Sequence, residues 1–211
     1  MAEDKSLHDA FIDELRDLYD AEKQIAKSLP KMAKAASSPE LKQAFKRHLE
    51  ETQEQIGRLE QVFESLDERA RGKHCAGMAG ILEEGKDIMK EDFEERTMDA
   101  ALIAAAQRVE HYEMAAYGTL VAWGNAIGQE DIVELLQTTL DEEKATDDAL
   151  TQLAEAGINE AATAEEAEPR EERVLAGAGQ GRARAADRGT RASAGRKRQA
   201  RGGAARGKGR R

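Results

Sequence analysis

One cysteine, Cys75, stands in a chain of 211 residues. No disulfide can close within the chain and no thiolate cage for zinc can be built, so a metal site has to use oxygen and imidazole. Proline is nearly as scarce, at 3 residues, and aromatics make up only 4%. Runs of Val, Ile, Thr and aromatics at strand spacing are missing too. These absences argue against a sheet and favour long amphipathic helices. No apolar run approaches the roughly 20 residues that span a bilayer. The N-terminal MAEDKSLHDAF is acidic and lacks the apolar core of a signal peptide. A soluble, cytoplasmic protein is expected.

Charge is what the chain has in plenty: 35% of residues are Asp, Glu, Lys or Arg. The net charge of −10 conceals two unlike polymers, because residues 170–211 hold 14 Lys or Arg against 3 acids, a net of +11, which leaves −21 for residues 1–169. The basic segment is low-complexity Arg, Gly and Ala with almost nothing to bury, a composition that predicts disorder. The expected organisation is a folded domain over 1–160, its last helix ending near Gly157, and a disordered tail over 161–211.

Four helical patterns fill the domain. Helix A is expected from an N-cap at Ser6 to Ala36, where Ser37, Ser38 and Pro39 end it and start helix B, with Pro39 as its first residue. Helix B runs to about Asp67. A connection containing RARGKHCAGMAG and a short amphipathic piece from Ile81 to Met89 follows, with Leu82 and Ile88 as candidate contacts. Helix C spans Thr97 to Ile127 and ends on Gly128; helix D spans Gln129 to Ala156 and ends on Gly157. Helices of this length reach about 45 Å, and a connection of this size can climb the height of a bundle. That predicts an all-α, ferritin-like four-helix bundle with one long crossover between B and C, in preference to an up-and-down bundle.

On those helices acids hold positions that should be apolar. The stripe of helix A steps through Leu7, Phe11, Leu15, Leu18, Ile25, Leu29 and Met32, and its missing step is Glu22. Helix B passes from Leu41, Phe45 and His48 to Glu51, Thr52 and Gln55 before Ile56, Leu59 and Val62 resume the pattern. Helix C steps through Ile103, Ala106, Glu110, Glu113, Tyr117 and Leu120, and helix D through Ile132, Leu136, Thr139, Glu143 and Leu150. Each acid lies near its helix midpoint, so packing brings all of them to one level. A buried group of unpaired carboxylates is very costly unless a cation neutralises it. The pattern therefore predicts two divalent ions, with oxygen donors that suit iron or manganese.

The segments LYDAEKQIAKSLPKMAKAASSPELKQAFKRHLEETQEQIGRLEQVFE, KHCAGMAGILEEG, ALIAAAQRVEHYEMAAYGTL and LLQTTLDEEKATDDALTQLAEAGIN resemble the YciE/YciF-type ferritin-like proteins. The resemblance covers about residues 6–160. It implies a rubrerythrin-like di-iron bundle, often a homodimer, associated with oxidative or osmotic stress. By position it implies Glu22 as the helix A ligand, Glu51 as the helix B bridging ligand, Glu110 and Glu113 as the helix C pair, and Glu143 as the helix D bridging ligand. Di-iron bundles commonly carry His three residues after the glutamates of B and D, whereas Glu54 and Thr146 stand here. Gln55 and Asp147 are the candidates for those terminal positions, which makes the site rich in oxygen.

His48 has two readings, as a ligand or as a hydrogen-bonding neighbour of a ligand carboxylate. His111 is expected to face solvent or a partner subunit, and Tyr117 to serve packing. The leading functional expectation is a stress-response di-iron protein that oxidises Fe(II) with peroxide or dioxygen. The alternatives are a di-manganese, catalase-like enzyme and a non-enzymatic stress protein with a structural metal. The basic tail has the charge for salt-sensitive, weak nucleic-acid binding, although a solvated extension is the preferred reading.

Overall fold

The computed structural model describes residues 4–167, and the Arg/Gly/Ala-rich segment lies outside the described residues from 168 onward. Six α-helices, α1 (Leu7–Ala35), α2 (Pro39–Ser65), α3 (Ala76–Ile88), α4 (Glu95–Ala126), α5 (Glu130–Leu153) and α6 (Asn159–Ala167), build the described part with no strand. None of these helices is long and apolar enough to cross a membrane.

The helices begin where local chemistry says they should. At α1 the Ser6 hydroxyl accepts from Asp9 N–H at 3.2 Å while Asp9 Oδ2 accepts from Ser6 N–H at 2.8 Å, a reciprocal cap for two of the first donors. At α2 the Ser38 hydroxyl accepts from Leu41 N–H at 3.3 Å, and Pro39 opens the helix where a missing N–H removes nothing. Helix α4 starts at Glu95, two residues before the expected Thr97.

Helices α1 and α2 form one antiparallel hairpin and α4 and α5 the other. Two contacts decide how the hairpins face. The buried Asp99, in the first turns of α4, accepts from the N–H groups of Ser37 at 2.6 Å and Ser38 at 2.8 Å, in the α1–α2 turn. At the opposite end, a Cβ added to Gly124 near the end of α4 would lie 3.6 Å from the Phe11 ring at the start of α1. Helix α4 therefore runs parallel to α2 and antiparallel to α1, and the chain between them must climb the bundle. The crossover does so against α1: Arg16 pairs with Glu68 at 2.9 Å, Lys73 N–H donates to the Arg16 carbonyl at 2.9 Å, and Cys75 N–H donates to Asp20 Oδ2 at 2.9 Å. The ferritin-like crossover topology is the observed one.

Helix α3 then lies in the groove of α1 and α4. Its first glycine, Gly77, passes so close to Tyr112 that a Cβ would fall 2.8 Å from the ring. Met78 and Leu82 point into the core. The core runs the height of the bundle through Phe11, Leu15, Leu18, Ile25, Leu41, Phe45, Leu59, Leu102, Tyr117 and Leu120, all nearly sealed from solvent. The stripe predicted for the first helix holds except at its first member: Leu7, the first residue of α1, is exposed.

The last helix departs from the expected end. Helix α5 stops at Leu153, a wide turn follows over Ala154–Ile158, and α6 continues to Ala167 past the expected boundary at 160. Gly157 does break the regular helix, with φ of 147°, a conformation open mainly to glycine. The chain re-enters helix after it, so the glycine bends the end and does not terminate it.

The contact at Asp99 joins three chain segments at one end of the bundle. In urea unfolding, D99A should lose about 1–2 kcal/mol, because two partly buried backbone donors lose their acceptor. An unchanged midpoint would show that water replaces the carboxylate there.

Candidate metal centre

Halfway along the bundle the stripes of all four long helices turn polar at the same level. Glu22 comes from α1, His48, Thr52 and Gln55 from α2, Glu110 and Glu113 from α4, and Thr139 and Glu143 from α5, and all are buried. One ligand atom each from His48, Glu110, Glu113 and Glu143 lies within 4.8 Å of all the others. His48 Nε2 approaches Glu110 Oε1 to 3.3 Å. These four residues could hold a metal ion.

Among the described residues, Glu22 Oε2, both His48 nitrogens, Gln55 Oε1, Glu110 Oε2, and both oxygens of Glu113 and of Glu143 have no hydrogen-bond partner. Native interiors leave few such atoms, and a cluster of them around one point is an arrangement that a cation could satisfy. The donor set, carboxylate oxygen with one imidazole nitrogen, fits iron or manganese chemically and lacks the sulfur preferred by softer ions.

The electrostatics agree. Burial pushes the carboxyls of Glu22, Glu110 and Glu113 well above the usual carboxylate range, and mutual repulsion, chiefly from Glu143 or Glu22, adds to it. Glu143 is raised by burial as well, against a lowering influence from His48. Without a cation the cluster keeps protons; a divalent ion would take their place. Tyr117, fully buried, donates its O–H to Glu22 Oε1, and burial holds that phenol well above its ordinary value. Tyr117 therefore fixes one glutamate as well as packing.

His48, Glu110, Glu113 and Glu143 form the close group, and Glu22 is buried beside it, near enough for the Glu143 charge to raise its carboxyl. Glu51 stands apart. The inward stripe of α2 runs Leu41, Phe45, His48, Thr52, Gln55, Leu59, which leaves Glu51 at its edge, its side chain 46% exposed. Its Oε2 lies 3.8 Å from His48 Nδ1, and that contact holds its carboxyl below the usual range. Asp147 turns toward α4, where it accepts from Gln107 at 3.1 Å and lies 3.3 Å from the exposed His111. Gln55 is buried at this level, but its amide donates to Glu142 at 3.2 Å. The imidazole thus lies three residues before Glu51 on α2, whereas the common di-iron arrangement has it three after.

Arg58 escapes a local reading of the sequence. It reaches from α2 to α5, where it grips Glu142 in a fork, both contacts at 2.9 Å, and also donates to Thr139. Its charge stands close enough to lower Glu22 slightly against the stronger effects of burial and Glu143.

Residues 6–163 match a family described as a domain of unknown function, DUF892. The chain belongs to that family. It is 46% identical to the Escherichia coli (strain K12) protein YciF over 159 residues, which are 75% of this chain and 96% of that protein. The crystal structure titled as the E. coli stress protein YciF superposes with a TM-score of 0.71, covering 74% of this chain and 99% of the other. The Rhodopseudomonas palustris protein YcfI, 45% identical, matches with a TM-score of 0.69 over 70% of this chain and 94% of its own. A Xanthomonas campestris protein at 24% identity and a TM-score of 0.61 shares the fold. The DUF892 match thus spans α1 to α5 and ends within α6.

Two outcomes follow from the unpartnered acids. In the protein freed of metal, E113Q should raise the unfolding free energy at pH 7 by about 1–3 kcal/mol, since Glu113 ionises in the unfolded chain but is held protonated by burial in the fold, a difference that disfavours folding. It should also weaken metal binding by about 100-fold or more, measured by titration with Fe(II) or Co(II). A variant that loses stability and keeps its metal would contradict the site.

The second outcome concerns pH. Because the four glutamates titrate above 4.5, the folded metal-free protein holds more protons than the unfolded chain above that pH. Its stability therefore falls as pH rises from 4.5 toward the folded-state values. Thermal unfolding of the chelator-treated protein between about pH 5 and pH 8 should show Tm decreasing, and bound divalent metal should flatten the slope. A rising Tm over that range would count against a protonated cluster.

Proposed function

We propose that the buried glutamates and His48 hold two iron ions and that the protein oxidises Fe(II) with peroxide or dioxygen, consuming the oxidant under stress. The observation that carries this reading is the set of unpartnered carboxylate oxygens on Glu22, Glu110, Glu113 and Glu143. Ionised, these side chains carry a charge of −4, which two divalent ions would balance. One ion would leave a buried excess that the nearby Arg58, already committed to Glu142, does not neutralise. The stress setting rests on the printed title of the E. coli relative, which calls YciF a stress protein.

In this reading Glu110, Glu113 and Glu143, with His48, surround the ions, and Glu22 joins them from α1. A pair of ferrous ions supplies two electrons together, so a peroxide can be reduced without release of a hydroxyl radical. The chain supplies the surroundings. Tyr117 orients Glu22 through its O–H, the apolar layers above and below exclude bulk water, and the glutamates exchange protons for metal. His48 would hold an ion with one ring nitrogen, and the half-exposed Glu51, 3.8 Å from Nδ1, helps to orient the ring.

The test is anaerobic loading with Fe(II) followed by peroxide, read by ferric absorbance. About two irons per chain should bind and oxidise together, and E143Q should abolish the fast phase. Binding of one ion with no peroxide-dependent oxidation would leave a structural metal in a non-enzymatic stress protein.

A further inference from the structure

His48 and Glu110 also form the inner end of a cavity of about 180 Å³ between α2 and α5. The cavity reaches the surface: Arg47 and Ala145, both exposed, line it along with the buried Phe45, Ala106 and Leu150. Most of the surface it exposes is apolar, supplied by four alanines with Phe45 and Leu150, while Arg47, Glu51, Glu142 and Thr146 also line it. Ala44, Ala106, Ala145 and Ala149 face a space that larger side chains at the same positions would fill. At the inner end, by contrast, both His48 nitrogens and Glu110 Oε2 are buried without a partner. The site thus has an apolar barrel and a polar floor.

That shape is a poor match for the smallest oxidants. An ordered water or hydrogen peroxide molecule needs several polar partners, and the part of the wall made by Ala44, Phe45, Ala106, Ala145, Ala149 and Leu150 offers no polar side chain. A cavity of about 150 Å³ with apolar walls is large enough for benzene. The occupant with the right chemistry has a compact hydrocarbon body and one oxygen-bearing end.

We propose that this cavity receives an organic hydroperoxide, its alkyl or aryl body against the alanine wall and its peroxide end toward His48 and Glu110. This assignment rests on the reading of the centre as a two-iron oxidase. The chemistry then balances. The O–O bond breaks with uptake of two electrons and two protons, giving one alcohol and one water; two ferrous ions supply the electrons and become ferric, and solvent supplies the protons. The alcohol product keeps the hydrocarbon body, so the cavity must release it by the path through which the substrate came.

The experiment uses the full chain and two probes, cumene hydroperoxide and the redox-inert alcohol it would yield, 2-phenyl-2-propanol. Alcohol binding to the metal-free protein is followed through the alanine methyl signals in NMR. The signals of Ala106 and Ala149 should shift saturably in the wild type, and the shifts should vanish in A149W, which fills the cavity. A145W is the second variant should the first fail to fold. In the iron-loaded protein, the rate ratio of cumene hydroperoxide to hydrogen peroxide should fall by about tenfold or more in the filled variant. Methyl signals that do not move, or shifts and ratios unchanged in a folded variant, would overturn the assignment. If hydrogen peroxide oxidises the iron while the alcohol does not bind and cumene hydroperoxide does not react, this inference falls alone. If hydrogen peroxide also fails, the reading of the centre falls with it.

Discussion

Burying a carboxylate without a partner is among the least favourable things a fold can do, and this bundle does it with four glutamates at one level. The rest of the architecture can be understood as support for that arrangement. Four helices are needed to bring donors from different directions, and all must keep the same height. The core above and below supplies the hydrophobic stabilisation that offsets a polar middle layer. Protons relieve part of the repulsion when no cation is present, and a cation relieves it more completely.

Vertical register is accordingly the property that the fold protects. A slip of one helical turn would carry a ligand about 5.4 Å along the axis, far enough to remove it from the cluster. Asp99 ties the start of α4 to the α1–α2 turn at one end. At the other, Gly124 allows α4 to approach Val133 of α5 so closely that a Cβ would lie 2.7 Å from its methyl. Between them, Arg58 and Glu142 clamp α2 to α5 just outside the glutamates. The crossover locks a further pair, through Tyr112, whose O–H donates to Asp17 of α1 at 3.1 Å and meets Cys75 Sγ at 3.0 Å.

Much of this was legible because the stripes of α1, α4 and α5 are strict. In each, a glutamate interrupts an otherwise apolar series, so Glu22, Glu110, Glu113 and Glu143 stand out against their neighbours. Helix α2 offers less contrast. His48, Glu51, Thr52 and Gln55 are all polar, and one residue corresponds to about 100° around the helix, so periodicity cannot separate the inward His48 and Thr52 from the edge position of Glu51. The same ambiguity affects Thr146 and Asp147 on α5. Arg58 and Glu142 lie 84 residues apart and leave no local pattern. The end of the last helix was misplaced for a different reason, since a glycine in a left-handed conformation usually ends a helix and here only widens one turn.

Cys75 adds something for anyone measuring peroxide chemistry on this protein. Its thiol has no exposed surface, caps the start of α3 by accepting from Met78 N–H at 3.4 Å, and is pushed above its ordinary value by burial. Peroxides oxidise thiolates far faster than thiols. The chain's one thiol, sealed inside the bundle and held protonated, is therefore a poor competitor for an added oxidant.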